Sequence, residues 1–232
     1  MATGHTIKAF DDDLDRLRAL IGEMGALAER AIGEAMRCLV ERDAEGAARI
    51  VQDDRKIDAL EAETERRAVQ LIALRAPMAG DLREVVAALK ISGVVERIGD
   101  YAKNIAKRVT VVEEAGEMKP LSLIPAMGAI ASEMVRNALD AFAARDAEKA
   151  AAVCERDRAL DDFYNSIFRT LLTFMMEDPH NITPATHLLF IAKNLERVGD
   201  HATNIAEMVH FAATGRHLGE REKGSDPFAA AE

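Results

Sequence analysis

The 232-residue chain has no tryptophan, 4% aromatic residues, six prolines and two cysteines. Each scarcity excludes something. With so few prolines, stretches of about 30 residues run without a helix breaker. Ala, Leu, Glu and Arg recur throughout, and such side chains lose little rotamer freedom in a helix, so long helices are predicted and strands are not. Cys38 and Cys154 stand outside any CxxC or Cys/His cluster, which leaves a thiolate metal site or redox motif unsupported. Both read as small apolar side chains. No apolar stretch approaches the roughly 18 residues that a membrane span needs, and Met1 to Phe10 lacks the apolar run of a signal peptide, so a cytoplasmic protein is expected. There is no Walker loop, nucleophile elbow or Gly-rich phosphate cradle, and no catalytic constellation. A non-enzymatic protein that does not bind phosphate directly is expected.

What is present is charge and apolar surface: 30% charged and 49% hydrophobic residues, enough to bury a core and stay soluble. The formal net charge of −10 argues against nucleic acid, whose phosphates attract a basic face. It is compatible with cations, with a basic partner, or with solubility alone.

The second half of the chain copies the first. Met24-Gly25-Ala26 recurs as Met127-Gly128-Ala129, Arg42-Asp43-Ala44-Glu45 as Arg145-Asp146-Ala147-Glu148, and Asp54-Arg55 with Asp58 as Asp157-Arg158 with Asp161, all at an offset of 103 residues. Glu96-Arg97-Ile98-Gly99-Asp100-Tyr101-Ala102-Lys103-Asn104-Ile105-Ala106 returns at offset 100 as Glu196-Arg197-Val198-Gly199-Asp200-His201-Ala202-Thr203-Asn204-Ile205-Ala206, with eight of eleven positions identical. A three-residue change in one connection accounts for the shift.

Each copy reads as three helices. In the first, Leu14, Leu17, Ile21, Met24, Leu27, Ala28, Ala31 and Ile32 repeat at three- and four-residue spacing, predicting a helix over about 12–41. A second helix is predicted from an Asp43 cap to about Leu74, and a third from an Asp81 cap to about Val112, after the break at 76–80. Residues 113–120 link the copies. Helices over about 121–144, 146–177 and 184–213 follow, with 178–181 as the last break. The fold class is therefore all-α: six long helices in a tandem pair of antiparallel three-helix bundles, repeats at 10–113 and 121–213, giving an elongated molecule. Residues 214–232 are charged and aperiodic, and are predicted to be disordered.

Four acid-x-x-x-Asp motifs stand out: Asp54 with Asp58, Glu96 with Asp100, Asp157 with Asp161, and Glu196 with Asp200. Residues four apart share a helix face, where two carboxylates repel by a few tenths of a kcal/mol unless a cation lies between them. Asn104 and Asn204 extend the stripes by a turn and add a neutral oxygen. Counted from the break near Met78, Asp58 lies 20 residues back and Glu96 18 on, and Asp54 lies 24 back and Asp100 22 on. Antiparallel helices would thus place both motifs at one height. Carboxylates and amides without Cys suit Mg, Ca, Mn, Fe or Zn; a solvated acidic face is the other reading. Gly99 and Gly199 weaken their helices by about 1 kcal/mol relative to Ala, a cost that close approach of a neighbouring backbone would explain. Arg97 and Arg197 are candidates for neutralising nearby acids, or for surface ion pairs.

Glu207-Met208-Val209-His210 has the Glu-x-x-His spacing of carboxylate-bridged di-iron bundles, but the matching place in the first copy is Lys107-Arg108-Val109-Thr110. A helical-bundle metalloenzyme is therefore the alternative function, not the leading one. The doubled Glu-Arg-[Ile/Val]-Gly-Asp followed by Ala, Asn and Ile-Ala, with Arg75-Ala76-Pro77-Met78-Ala79-Gly80-Asp81-Leu82-Arg83 leading into its first copy, resembles the PhoU family over nearly the whole chain. The segment Asp178-Pro179-His180-Asn181-Ile182 departs from that pattern, as a loop can. The resemblance implies a cytoplasmic accessory protein of phosphate transport that dampens the phosphate-starvation response. It implies action between the ATPase subunit of the phosphate ABC transporter and a membrane sensor histidine kinase, contact with the membrane only through those partners, and homodimers. It further implies metal at paired acidic motifs in some members, which here correspond to Asp54, Asp58, Glu96, Asp100, Asp157, Asp161, Glu196 and Asp200.

Overall fold

In a computed structural model, residues 2–114 and 118–219 are described, with side chains from Phe10 onward. The first helix, α1 (Ala2–Glu41), buries Leu14, Leu17, Ile21, Met24, Ala28, Ile32, Ala35 and Leu39 along one stripe, while Leu27 and Ala31 are half-buried. Arg42 then takes a left-handed conformation, φ 58°, and the Asp43 carboxylate accepts a hydrogen bond from Gly46 N at 2.7 Å, starting α2 (Ala44–Asp53). The second copy repeats the device. Arg145 has φ 55°, and Asp146 Oδ1 accepts from Glu148 N at 3.0 Å and Lys149 N at 2.9 Å to cap α7 (Ala147–Glu177).

The predicted second helix is continuous in direction but loosens at Asp54, which separates α2 from α3 (Arg55–Arg75) while keeping helical dihedrals, φ −51° and ψ −35°. Ala76 closes α3 in a left-handed conformation, and α4 (Ala79–Ala106) begins after Met78. Asp81 is therefore not the cap: it lies in the first turn of α4, where its charge still meets the positive helix end. The helix predicted to reach Val112 stops at Ala106 and resumes as α5 (Val109–Glu114). After a 3-10 turn at Lys119–Leu123 come α6 (Ile124–Ala144), α7, a 3-10 turn at Pro179–Asn181 and α8 (Ile182–Thr214). No strand occurs among the described residues. The tail predicted to be disordered lies, from residue 220, outside the described residues.

The chain thus forms two three-helix bundles, α1 with α2/α3 and α4, and α6 with α7 and α8. They do not extend each other lengthwise. α1 packs along α6 and α4 along α8, so the two units lie broadside with one continuous core, while α3 and α7 stay on the outside of their own units. The pairing is reciprocal. Gly25 receives the Leu139 side chain, and Gly128 receives Met36, whose Cγ would stand 2.7 Å from a Cβ there. Gly25 and Gly128 are repeat equivalents, as are Met36 and Leu139. On the other helix pair, Tyr101 stacks on its own equivalent His201, with ring centroids 5.4 Å apart and the hydroxyl 3.3 Å from Nε2. A position that touches its own copy marks a two-fold relation, here inside one chain.

One ionic contact breaks this symmetry. Glu84 on α4 is buried and bonds Arg18 of α1 (Nε, 2.7 Å) and Arg145 at the α6–α7 turn (2.5 Å), tying the two units together. Its repeat equivalent is Pro184, which can do neither. Removing one partner of a buried ionic group leaves the others uncompensated. Because Arg145 is half exposed, Glu84→Ala is expected to cost on the order of 2–4 kcal/mol, read as a fall in Tm of roughly 5–15 °C in thermal unfolding.

Candidate functional site

The acid motifs meet at two seams, α3 against α4 and α7 against α8. At the first, Gly99 leaves room for side chains rather than for backbone: a Cβ there would stand 2.8 Å from Ile57 Cδ1 and 3.4 Å from Asp54 Oδ1. The predicted close approach is real, but the partner is the Asp-x-x-Ile edge of α3. Gly199 admits Leu160, and Asp157 Oδ1 would lie 3.3 Å from a Cβ there. At each seam the glycine lets the first Asp of one motif tuck behind the Glu and Asp of the other.

The first seam contains its own cation. Lys103 Nζ lies 2.5 Å from Asp54 Oδ2 and 2.5 Å from Asp100 Oδ1. Its hydrogen bonds to Asp100 and then Asp54 raise its pKa well above the ordinary lysine value. Asp54 is 8% exposed, so the ammonium offsets a charge that water scarcely reaches. Asp58 is exposed, Glu96 half-buried, and Asn104 half-buried one turn beyond Asp100. The Glu96 carboxyl is held above the usual range, first by burial and then by Asp100, Glu61, Asp58 and Asp54. The other three expected acids of this copy therefore all act on Glu96, and Glu61, which the spacing argument passed over, joins them. Lys103 was also passed over; its signal was its place three residues after Asp100.

At the second seam Thr203 replaces Lys103. It is fully buried, and its hydroxyl donates to the Asp200 carbonyl at 2.7 Å. Glu196 pairs instead with Lys193 at 2.7 Å, and Lys193 also lies over the Tyr164 ring at 5.1 Å. Burial raises the Glu196 pKa, Lys193 opposes that rise, and Asp200 and Asp161 add to it. Arg197 stands 3.9 Å from Asp200, while the field of Arg97 falls on His201. Asn204 lines a groove between α4 and α8.

As donors, these carboxylates suit a hard cation. As placed, they do not assemble one's coordination shell: among the described residues no three His, Cys, Asp or Glu side chains are gathered as ligands, and the first seam's central cation is Lys103. Glu207 and His210 are not assembled into a di-iron motif either. Glu207 lines the groove, and His210 Nδ1 lies 3.0 Å from the Arg216 carbonyl. The arrangement presents two half-desolvated acidic faces, each bordered by its own basic side chains.

Two outcomes follow. Lys103→Met leaves the buried Asp54 without its ammonium and is expected to cost about 1–3 kcal/mol by thermal unfolding. For Glu96, a pKa raised on folding means the native state keeps a proton that the unfolded chain has released. That contribution is present at low pH and is lost as pH rises above the ordinary value of 4.5 through the raised one. Glu96→Gln is therefore expected to raise Tm at pH 7.5 and to have little effect at pH 4, and a Tm that falls at pH 7.5 would refute the assignment.

Comparison with known proteins agrees with this architecture. The PhoU domain model matches residues 21–109 and again 124–209. A protein of Zymomonas mobilis described as a phosphate-specific transport system accessory protein PhoU homolog is 57% identical over 227 residues, 98% of this chain and 96% of its own. A Caulobacter vibrioides protein of the same description is 48% identical over 217 residues, 93% of this chain and 94% of its own. The crystal structure of PhoU from Pseudomonas aeruginosa superimposes with a TM-score of 0.85 at 35% identity, covering 89% of this chain and all of that one. PhoU from Streptococcus pneumoniae gives 0.84 at 28% identity, covering 91% of this chain and all of its own. With a duplicated three-helix unit, paired Glu-Arg-x-Gly-Asp motifs and these likenesses, the chain belongs to the PhoU family.

Proposed function

We propose that this protein is a non-catalytic cytoplasmic regulator that lowers the phosphate-starvation response when phosphate is plentiful. It acts as an adaptor, as a homodimer, between the ATPase subunit of the phosphate ABC transporter and a sensor histidine kinase, and it meets the membrane only through them. What supports the role is family membership, together with relatives described as accessory proteins of phosphate transport. The observation that carries the reading to residues is the pair of acidic seams, kept at equivalent places in both units. None of the helices among the described residues is long and apolar enough to cross a membrane.

Half-desolvated carboxylates on a rigid helix seam are suited to receiving basic side chains, because charge complementarity speeds encounter and fixes register. Lys193 and Arg197 border the acids of the second seam, as Lys103 does those of the first. Competition provides the switch. If the transporter's conformation changes its affinity for the acidic faces, mass action alone redistributes the regulator between transporter and kinase.

The test is alkaline phosphatase output in phosphate-rich medium. A strain lacking the gene is expected to show high activity, restored to low by the native protein. A variant carrying Glu96→Ala, Asp100→Ala, Glu196→Ala and Asp200→Ala, shown to be folded by circular dichroism, is expected not to restore it. Low phosphatase in the strain without the gene would overturn the regulator reading. Full repression by the folded variant would overturn the part assigned to the seams.

A further inference from the structure

The internal two-fold relation makes two equivalent crossings between α4 and α8, and the two are lined by different side chains. Where the first half of α8 meets the end of α4, Arg108 lies over the Phe190 ring at 4.4 Å, with Nη1 3.2 Å from His187 Nδ1. At the other crossing the corresponding residues are Met208, Lys90 and Ala87. There a groove of about 390 Å³ stays open. That is within the range of about 300–1,000 Å³ for small-molecule sites. Its lining is particular to this copy, which carries alanine and lysine where the other carries histidine and phenylalanine.

Its walls have distinct chemistry. Arg83, Ala87 and Lys90 share one face of α4, and neither basic residue forms a salt bridge among the described residues. Arg83 Nε donates to the Ala212 carbonyl at 3.4 Å. From α8, Asn204 offers an oxygen acceptor, and Met208 and Phe211 an apolar wall. The His217 imidazole stacks on Phe211, with centroids 4.6 Å apart and planes 15° from parallel, so that wall accommodates a flat heteroaromatic ring.

We propose that this groove binds a nucleoside phosphate: base on Phe211 in the place the His217 ring takes, and against Met208, its exocyclic amine donating to Asn204, phosphates paired with Arg83 and Lys90. Orthophosphate alone would leave the apolar wall uncovered, and a nucleoside alone would leave both cations unmatched. The inference stands apart from the regulator reading, because it uses neither acidic seam.

The probe is ADP, titrated calorimetrically into the full chain in buffer containing EDTA. Saturable binding tighter than about 1 mM is expected, with adenosine and orthophosphate each at least about tenfold weaker. Ala87→His with Lys90→Phe puts the two larger side chains of the other crossing into the groove, removes one of its cations, and is expected to abolish ADP binding with the helical spectrum retained. Arg83→Gln, which leaves the groove open, is expected to weaken ADP about tenfold and leave adenosine unchanged. If the double variant does not fold, Arg83→Gln decides. Absence of saturable heat with ADP up to about 5 mM would overturn the proposal. So would undiminished ADP binding by either folded variant, or orthophosphate binding as tightly as ADP.

Discussion

The packing of α1 on α6 depends on two glycines. Gly25 and Gly128 each leave a hole on one long helix, and each hole takes the side chain that stands eleven residues further along the other, Leu139 in one case and Met36 in the other. This exchange lets α1 and α6 approach with their inner faces in contact and sets the two units broadside. α4 and α8 must then cross beside them, which brings Tyr101 onto His201. Four inner helices carry the shared core, and α3 and α7 are left outside. The acidic motifs of α3 and α7 consequently face their own unit's inner helix at a half-exposed seam, with neither full burial nor full hydration.

That intermediate position explains the electrostatics. Fully exposed, acids four residues apart would repel by only a few tenths of a kcal/mol; fully buried, they could not remain ionised. At the seams, burial lifts Glu96 and Glu196 above the ordinary carboxylate range, while Lys103 and Lys193 hold the neighbouring charge. The seams store unfavourable electrostatic free energy at neutral pH that a basic partner can relieve, a sound basis for reversible docking.

Duplication created two of everything, and the differences between the copies show where the units have specialised. Glu84 ties the units together at one crossing, whereas Pro184 occupies its equivalent. Lys103 neutralises one seam, whereas Thr203 turns inward to a carbonyl at the other. Arg108 meets Phe190 and His187 at one crossing, whereas Ala87, Lys90 and Met208 line a groove at its twin. An internal two-fold supplies a control within the same molecule: each departure occurs against an equivalent backbone setting, so the side chains account for it.

Much of this was legible in the chain itself. The repeats at offsets 103 and 100, the helices, the Asp43 cap and the matched heights of the acid motifs all follow from local spacing, and spacing survives folding because an antiparallel helix pair preserves residue count along its length. The duplication also led correctly to the family. The tertiary structure alone decided the rest. It set the bundles broadside instead of lengthwise, gave Gly99 a side-chain neighbour, and moved the cap from Asp81 to Met78. It also made Lys103, an unremarked lysine, the cation of the first seam, and it brought Arg83 and Lys90 opposite Phe211 across a gap of more than a hundred residues. Periodicity determines which face of a helix is buried. Which other helix buries it depends on how apolar surfaces far apart in the chain complement one another in shape, and no local pattern records that.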